Sequence, residues 1–560
     1  MFIERKKPKE QMPDRERFGH MPIADILEHK AVIYSMDIFD TVITRTTGSP
    51  RGIFNLMQSQ LPSFDFPLPP DFIRQFKNIR LSIEQECRQK YDSEITIKEI
   101  YEAMQSKYGL SDDMARVLME KEINLEIENS IVIPEMAAAI HQLQNQASKK
   151  VIFISDMCLP SHVMRRLLKT HKLDIPLDHL YVSCDHRQTK SSGGLYKKVL
   201  ARENIFPADM IHIGNHYQLD YLIPRKIGIR SVYFGRANPN LIEEKILGFG
   251  RSKDEYEFLC EKITGISRLA RLALPPTVKD EKKFIVGCCV AGPVLLGFVL
   301  WILEEAKTRG LKRLYFVSRD GQVLSAIADM VLKQSGQDLE VRYLYGSRQS
   351  WLPAGVSSLD DEQLSWIFQR DPIVTPRIIA QRLNIDVSVI LRQLEKMKKN
   401  PVAPDKVLSN SNFSDLTDAL KSDDVLGHIL QKANECRHQL MHYLQQEKLC
   451  DGNSFGVVDL VGTGRFLGTL YKIFQLEGIS YNGSHFYFQL VKRGSFRLQP
   501  IDHLAYFNAS AQELPHHKIN LNYTGILELF CMADHGMVNR YREDPSKHWA
   551  PGRTEKENTA

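Results

Sequence analysis

Residues 31–41 of this 560-residue chain read AVIYSMDIFDT, an apolar run that ends at Asp37. Such a run is typical of a buried β-strand followed by a polar turn. Similar runs occur further along the chain at residues 149–156 (KKVIFISD), 179–184 (HLYVSC), 210–215 (MIHIGN) and 230–235 (RSVYFG). Amphipathic helix patterns separate these runs, and this alternation predicts an α/β fold with a parallel sheet and helices on both of its faces.

The first of these strands is separated from the second by about a hundred mostly helical residues, which predict a helical insertion at about residues 48–135. A capping box, Thr96 with Glu99, opens one of its helices. We expect a flexible tail at residues 1–28, a first domain at 29–236 and a linker with helical character at 237–283.

The composition is that of a soluble globular protein, with 43% apolar and 25% charged residues. A net charge of +5 over 73 basic and 68 acidic residues does not indicate a nucleic-acid partner, which usually requires a clustered basic face. None of the nine cysteines forms a CxxC pair, so a disulfide framework and a zinc ribbon are disfavoured. These features predict a reducing compartment, the cytoplasm.

Residues 284–303, FIVGCCVAGPVLLGFVLWIL, carry no charge and are long enough to span a bilayer. Glycines interrupt the segment and Pro293 is a good first-turn residue, so we favour a buried helix that begins near Pro293. Membrane insertion stays open as the alternative, because a helix that is apolar on all sides fits both.

Polar residues follow the predicted strands of the first domain. Since ligands bind beyond the carboxyl ends of parallel strands, we expect these residues to converge. A carboxylate can attack phosphorus, a hydroxyl and an ammonium can hold the phosphate oxygens, and carboxylate and amide oxygens can bind Mg²⁺. Read singly, each is a turn former, a helix cap or a solvated side chain. The residues are Asp37, Asp40, Ser155, Lys190, Asn215 and Asp220.

The order of these motifs resembles the four motifs of haloacid dehalogenase-like (HAD) hydrolases over about residues 30–236, and the helical insertion resembles their C1 cap. The resemblance implies a Rossmann-like fold, Asp37 as nucleophile, and Ser155 and Lys190 as phosphate stabilisers. It further implies a Mg²⁺ site that includes Asp37, Asn215 and Asp220, and a small phosphorylated substrate such as a sugar phosphate.

Two positions depart from the phosphatases of that family. Phe39 stands where they carry a general acid, and Asn215 replaces the first acid of their fourth motif. Both changes are more similar to the dehalogenase branch, which uses no metal. Loss of a general acid typically costs about 10²–10⁴-fold in rate. The site could be slow, could use Asp40 or Asp156 as the acid, or could only bind its ligand.

The C-terminal half repeats the α/β pattern over residues 284–540, with a helical insertion at about 355–450 and a structureless tail at 541–560. Its strand ends carry a Gly/Thr loop that can surround a phosphate, and arginines that can add bidentate contacts. The alternative is that the glycines serve tight turns and the arginines pair with acids. The candidate cofactor-binding residues are Arg319, Asp320, Arg348, Asp459, Thr463 and Gly464, and Glu528 and Asp534 are weaker candidates.

The stretch VVDLVGTGRF, residues 457–466, is similar to the phosphoribosyl-pyrophosphate loop of phosphoribosyltransferases. The whole chain resembles large bacterial HAD-superfamily hydrolases that are often found with surface-polysaccharide glycosyltransferases. These resemblances imply sugar-phosphate chemistry. The alternative function is a catalytically degenerate HAD module joined to a phosphoribosyltransferase-like module, which would bind or regulate in surface-polysaccharide biosynthesis.

Overall fold

A computed structural model describes residues 31–91, 94–274, 280–369, 373–491, 498–508, 522–546 and 548–553. The chain divides into two compact units, Met1–Pro293 and Val294–Ala560. Each unit contains a five-stranded parallel sheet flanked by helices, which confirms the predicted α/β class. The tail expected at residues 1–28 lies outside the described residues.

The sheet of the first unit has the strand order β5-β4-β1-β6-β7, and all its strands are parallel. β1 is buried along its whole length, as its apolar sequence predicts. β2 and β3 form a separate antiparallel pair. The strands are β1 (Ile33–Met36), β2 (Ile43–Arg45), β3 (Ser130–Val132), β4 (Lys150–Ser155), β5 (Leu180–Val182), β6 (Met210–Gly214) and β7 (Arg230–Tyr233).

Four helices, α1–α4, lie between β2 and β3 and are called the cap below. The predicted capping box at the start of α3 is confirmed: Thr96 Oγ1 accepts from the Glu99 amide, and Glu99 accepts from the Thr96 amide. The helices are α1 (Pro50–Gln60), α2 (Pro70–Tyr91), α3 (Ile97–Tyr108), α4 (Asp112–Glu128), α5 (Pro134–Gln144), α6 (Ser161–Thr170), α7 (Ser183–His186), α8 (Gly194–Glu203), α9 (Ile223–Ile227), α10 (Leu241–Ser252) and α11 (Asp254–Leu272).

α11 packs against the segment that leads from β2 into the cap, so the expected linker is largely two packed helices. Glu257, Glu261 and Arg268 on α11 are each 1% exposed. Glu257 pairs with Arg51 and Lys77, and Glu261 accepts from the amide and hydroxyl of Ser49.

Arg268 donates to the carbonyls of Arg45 (3.1 Å), Thr47 (2.6 Å) and Gly48 (3.3 Å). Gly265 lies so close to this segment that a Cβ there would stand 2.0 Å from the Thr46 carbonyl oxygen. α11 therefore fixes the base of the cap through buried charges and direct backbone contact.

The second unit has the strand order β12-β11-β10-β8-β9, again all parallel. The strands are β8 (Arg313–Val317), β9 (Glu340–Leu344), β10 (Phe455–Gly462), β11 (Gly483–Leu490), β12 (His503–Asn508), β13 (Val538–Glu543) and β14 (Trp549–Arg553). The helices are α12 (Glu281–Val286), which still belongs to the first unit, α13 (Gly292–Thr308), α14 (Gly321–Ser335), α15 (Arg348–Trp351), α16 (Asp361–Ile367), α17 (Pro376–Leu383), α18 (Val387–Lys396), α19 (Asn410–Lys421), α20 (Asp423–Gln446), α21 (Arg465–Leu476) and α22 (Asn522–Phe530).

One prediction for this half is confirmed and one needs correction. The α-helix α13 begins at Gly292, next to Pro293 as predicted. α12 and a π-helical turn lead directly into it, and together they form a helical stretch, Glu281–Thr308, that is long and apolar enough to cross a membrane by length and composition. The expected structureless tail at 541–560 is wrong for residues 541–543 and 549–553, because these residues belong to β13 and β14, which pair as antiparallel strands.

Candidate functional site

The carboxyl edge of the first sheet brings together side chains from three neighbouring strands. Asp37 directly follows β1, Ser155 ends β4 and Asn215 directly follows β6. β1 lies between β4 and β6. The chain continues from β1 to β4 on one side and from β6 to β7 on the other, so this edge is a topological switch point, where α/β proteins place their ligands. Ser155 is 2% exposed and lies two residues beyond Phe153, which pairs with Met36.

Lys190 joins two carboxylates at this edge. Its Nζ lies 2.6 Å from Asp37 Oδ1 and 2.7 Å from Asp220 Oδ1. Its backbone amide donates to both carboxylate oxygens of Asp156, at 2.9 and 3.0 Å, which fixes the loop that carries it. Asp37, Lys190 and Asp220 are 8%, 2% and 1% exposed, so the group is almost fully buried.

Asp220 is held at both carboxylate oxygens. Oδ1 faces Lys190 and also His212 Nε2 at 3.2 Å, while Oδ2 accepts from the His216 amide at 2.9 Å. The carboxylate folds back onto the end of β6, where a Cβ on Gly214 would come within 2.4–2.6 Å of it. Only a glycine at position 214 leaves room for this arrangement.

The buried charges influence one another's pKa values. Burial raises the pKa of Asp37 to about 7, although the Lys190 ammonium opposes the shift. Burial alone would raise the pKa of Asp220, but Lys190 and His212 hold it below its ordinary value. Burial likewise disfavours charge on Lys190, yet the two carboxylates raise its pKa. We conclude that Lys190 is an ammonium, Asp220 a carboxylate, and Asp37 the group closest to changing its proton occupancy at neutral pH.

Two oxygen atoms, one from Asp37 and one from Phe39, lie close to the side-chain oxygen of Asn215. The side-chain oxygen of Asn215 lies 3.2 Å from Asp37 Oδ2 and 3.2 Å from the Phe39 carbonyl. Turning the amide of Asn215 would instead direct its NH₂ group at both oxygens. Asn238 decides between these orientations, because its own amide is oriented by a hydrogen bond of 2.8 Å from Asn238 Nδ2 to the backbone carbonyl of Asn215.

In this orientation Asn238 Oδ1 lies 2.7 Å from one of the two terminal atoms of the Asn215 side-chain amide. Because Asn238 Oδ1 is an acceptor, that atom of Asn215 must be the NH₂ nitrogen. The oxygen of Asn215 then lies 3.2 Å from each of the two other oxygens, and such close contacts between acceptors need a proton or a cation between them. Adjacent ligands of an octahedral Mg²⁺ with bonds of about 2.05 Å stand about 2.9 Å apart, so the donor set fits this ion.

This oxygen cluster differs from the predicted metal set. It contains Asp37 and Asn215 as expected, adds the Phe39 carbonyl, and leaves out Asp220, whose two oxygens already have partners. In the described part of the chain, no group of three or more His, Cys, Asp or Glu side chains is arranged to hold a metal ion. A metal at this edge would therefore depend on amide and carbonyl oxygens.

The two alternatives for the missing general acid lie in different places. The Asp40 carboxylate accepts from Thr44 at 2.7 Å and lies 3.5 Å from Arg268, so the structure directs it to the base of the cap and does not bring it to Asp37. Asp156 follows Ser155 directly and holds the Lys190 loop. Burial raises the pKa of Asp156 to about 6, which suits a proton donor near neutral pH.

The sequence did not reveal several supporting residues of this site. His212 and Tyr196 contact Asp220, Ser35 contacts His212, and Asn238 orients Asn215. His212 lies in the middle of a buried strand, where a histidine usually has only a packing role. The one available signal was the polar residue within the otherwise apolar run MIHIG.

The carboxyl edge of the second sheet collects the other candidates. The loop Ser318–Gly321 follows β8, Arg348 begins α15 after β9, and Asp459 lies near the end of β10, before the loop with Thr463 and Gly464. β8 lies between β9 and β10, so this edge also has a topological switch point. Burial raises the pKa of Asp320 to about 6 and that of Asp459 to about 7, and in each case a neighbouring carboxylate, including that of Glu528, adds to the shift.

The structure separates the remaining candidates of this edge. Asp534 accepts from Gln322 at 2.8 Å and so contacts the first turn of α14. The side chains of Arg319 and Arg348 make no hydrogen bond or ion pair with the described residues, although both lower the pKa of Asp320. The alternative in which these arginines serve as partners of acids within the unit therefore stays open.

Solved structures similar to part of this chain are HAD-type enzymes. A 2-haloacid dehalogenase from Pseudomonas syringae pv. Tomato DC3000 is 15% identical, covers 37% of this chain and 87% of its own, and has a TM-score of 0.28. YfnB from Bacillus subtilis, assigned as a HAD-hydrolase and bound to magnesium, is 17% identical over 38% of this chain and 91% of its own, with a TM-score of 0.27.

A HAD phosphatase from Thermococcus onnurineus is 16% identical over 37% of this chain and 86% of its own, with a TM-score of 0.25. No protein-family model and no curated protein matches the sequence. The structural neighbours of this chain are thus HAD-superfamily hydrolases, and at these identities and TM-scores the likeness carries no argument about activity, substrate or metal.

Proposed function

We propose that the first unit is a HAD-type hydrolase that removes phosphate from a small phosphorylated metabolite, a sugar phosphate being the preferred class. The observation that carries this proposal is the Lys190 ammonium, 2.6 Å from Asp37 and 2.7 Å from Asp220 at the carboxyl edge of the sheet. It holds a single carboxylate, Asp37, in place through Oδ1, while the second oxygen, Oδ2, faces the Asn215 side chain.

In the proposed reaction, the Asp37 carboxylate attacks phosphorus and the bond from phosphorus to the ester oxygen breaks. The leaving oxygen takes a proton, for which Asp156 is the candidate donor. Water then attacks the phosphorus of the aspartyl-phosphate and gives a proton back to Asp156, the bond to Asp37 breaks, and inorganic phosphate leaves. The Lys190 ammonium and the Ser155 hydroxyl would stabilise the phosphate oxygens in both steps.

A Mg²⁺ ion would be held by Asp37 Oδ2, the Phe39 carbonyl and Asn215 Oδ1, and it would neutralise charge on the phosphate oxygens. The fit rests on the two 3.2 Å distances that join Asn215 Oδ1 to Asp37 Oδ2 and to the Phe39 carbonyl oxygen. Asn215 supplies no negative charge, so we expect a weak affinity and a requirement for millimolar Mg²⁺.

The test is phosphate release from p-nitrophenyl phosphate and a panel of sugar phosphates, with and without Mg²⁺. Asp37→Asn removes the nucleophile and should abolish release, whereas Asp65→Asn, a substitution at an exposed carboxylate of the cap, should not change it. Release that persists in Asp37→Asn, or no release by the unaltered chain from any compound, would refute the hydrolase.

A second function is favoured by the other sheet edge, and it preserves the alternative of a binding module. We infer that this edge binds a phosphorylated sugar or nucleotide ligand of the phosphoribosyl class, because Arg319 and Arg348 stand beside two carboxylates with raised pKa values, Asp320 and Asp459. In this reading the first unit is degenerate and the chain acts in the supply or regulation of sugar phosphates for surface polysaccharides.

Titration calorimetry with phosphoribosyl pyrophosphate and with UDP-glucose tests this second function. Arg348→Ala should weaken binding at least tenfold, and Arg392→Ala, at an exposed arginine of α18, should leave it unchanged. Binding that is indifferent to Arg348→Ala and Asp459→Asn would place the ligand elsewhere.

A further inference from the structure

A line of buried side chains extends from the interior of the first sheet to Asp37. Ser35 on β1 and His212 on β6 are register partners on adjacent strands, and both are 0% exposed. Ser35 Oγ lies 2.8 Å from His212 Nδ1, and His212 Nε2 lies 3.2 Å from Asp220 Oδ1. Asp220 then contacts Lys190, and Lys190 contacts Asp37.

The protons along this line can be assigned from its chemistry. Asp220 is a carboxylate that only accepts, so Lys190 and His212 Nε2 must both carry hydrogens directed at it. Burial lowers the pKa of His212, which keeps the ring neutral and leaves Nδ1 without a hydrogen. Ser35 has one hydroxyl hydrogen, and its contact with Nδ1 at 2.8 Å is shorter than its 3.2 Å contact with the Ile211 carbonyl. Ser35 therefore donates to Nδ1 and selects the Nε2–H tautomer.

The neighbours of Asp220 leave it few other donors. The Tyr196 hydroxyl donates to the Leu219 carbonyl at 3.0 Å and stands 3.5 Å from Asp220 Oδ1. Without His212, Oδ1 would depend on Lys190 alone. Lys190 is shared with Asp37, so its ammonium would lose the fixed position between the two carboxylates.

We propose that His212 is a positioning residue of this site, which donates from Nε2 to Asp220 and thereby keeps the Lys190 ammonium against Asp37, with Ser35 selecting the required tautomer. The functional part of this inference rests on the proposed hydrolase activity. Its structural part, the position of Lys190, does not, and the two parts are measured separately.

His212→Leu and His212→Gln form the decisive pair. Leucine fills a similar volume without a donor, whereas the side-chain NH₂ of glutamine can reach Asp220 in place of Nε2. The readout is the ¹H–¹⁵N signal of the Lys190 ammonium, visible because a buried ammonium exchanges its hydrogens slowly and assigned by its loss in Lys190→Arg. We expect the signal to broaden or vanish in His212→Leu and to persist in His212→Gln, with thermal unfolding confirming that both variants fold.

The matched control is His179→Leu. His179 directly precedes β5, at the amino end of the parallel strands and so away from Asp37, and its Nδ1 lies 2.9 Å from the Val151 carbonyl oxygen. Its loss should therefore leave the Lys190 signal unchanged. A Lys190 signal that is the same in His212→Leu as in the unaltered chain would overturn the inference, whether or not the protein hydrolyses phosphate esters.

Phosphate release from p-nitrophenyl phosphate provides the second readout. Removal of a supporting hydrogen bond at a reactive site costs about 10–100-fold, so His212→Leu should lower kcat by about that factor with little change in KM, and His212→Gln should recover most of it. If the unaltered chain releases no phosphate, the hydrolase proposal fails while the ammonium signal still decides the role of His212. If both variants lose the same activity, packing alone is the role of His212 and the inference fails.

Discussion

Phe39 fills a position between the reactive edge and the cap. Its ring lies 3.9 Å below the Arg45 guanidinium, which is itself paired with Glu126 through two hydrogen bonds of 2.9 and 3.2 Å. Its carbonyl belongs to the oxygen cluster beside Asp37. The backbone at residue 39 thus serves the site while the side chain serves the packing of a buried ion pair.

Phe39→Asp restores the acid that the HAD phosphatases carry, yet we expect no gain in phosphate release. The new carboxylate would stand under Arg45 and compete with Glu126 for the guanidinium, so it would be ionised and unable to donate a proton. Loss of the buried ring should lower the free energy of unfolding by about 3 kcal/mol. Urea unfolding and phosphate release measure the two effects, and a large gain of activity would show instead a decayed catalytic site that a single residue restores.

Gly214 gives a second prediction at this scale. A methyl group there would collide with the Asp220 carboxylate at 2.4–2.6 Å, so Gly214→Ala should displace Asp220 from Lys190. We expect phosphate release to fall at least tenfold and the free energy of unfolding to fall by about 1–3 kcal/mol. The control is Gly248→Ala on α10, where a Cβ meets nothing within 4 Å. Equal behaviour of the two variants would contradict the close packing of Asp220.

At the scale of elements, α11 is the part that links the cap to the sheet. Three of its charged residues, Glu257, Glu261 and Arg268, are buried against residues 45–51 and Lys77. Residues 45–49 are also the first of the two connections through which the cap could turn. Because the helix backbone touches this segment at Gly265, we expect the cap to keep one orientation rather than swing about it.

Arg268→Met tests this fastening. The carbonyls of Arg45, Thr47 and Gly48 would lose a buried donor, and Asp40 would lose its nearby cation. Chemical denaturation should show a loss of about 3 kcal/mol, as is typical when one partner of a buried charged pair is removed. Arg251→Met on the neighbouring helix, at an exposed residue, should stay within about 0.5 kcal/mol, and similar values for both variants would deny α11 this role.

At the scale of the whole molecule, the helical stretch Glu281–Thr308 is the segment that could decide where the protein resides. Its second part packs on the sheet of the second unit: Phe298 and Trp301 contact Phe488 and Phe486, and both rings contact Tyr506. A helix that covers one face of a sheet cannot at the same time cross a bilayer without exposing that face.

We therefore predict that the full chain is recovered in the supernatant after high-speed centrifugation without detergent. Leu300→Lys, at a side chain of this helix that is 47% exposed, should not change the distribution, since an exposed position tolerates a charge in water. Recovery in the membrane pellet that detergent releases and Leu300→Lys diminishes would establish the span.

How far the sequence predicts this molecule depends on the kind of contact. Asp37, Lys190, Asn215 and Asp220 could be grouped in advance because parallel strands present their carboxyl ends at one edge, so the order of strands along the chain suffices. The two parallel sheets could also be predicted, because apolar runs that alternate with amphipathic helix patterns mark their strands. The sequence could not predict that Asn215 faces the oxygens of Asp37 and Phe39 while Asp220 pairs with Lys190. The first contact depends on Asn238, which is distant in sequence, and the second on His212, which the sequence pattern places in the core.

The charged face of α11 shows the opposite limit. Its acidic residues and its arginine have the sequence pattern of a solvent-exposed helix face. A charge pattern on a helix does not show which other segment the helix will pack against. The β13–β14 pair was missed for a different reason: Pro551 and Gly552 in its second strand are typical of loops, and only pairing with residues 538–543 makes that strand.

The packing of α11 against the base of the cap also defines the shortest fragment of this chain that is expected to keep its structure. A fragment ending at β7 would retain the five strands and the cap, yet Lys77, 5% exposed, would lose its ion pair with Glu257, and the carbonyls of residues 45, 47 and 48 would lose the Arg268 donor. The folding unit is therefore longer than its sheet, and a truncated chain that is to keep this unit intact must extend through Leu272.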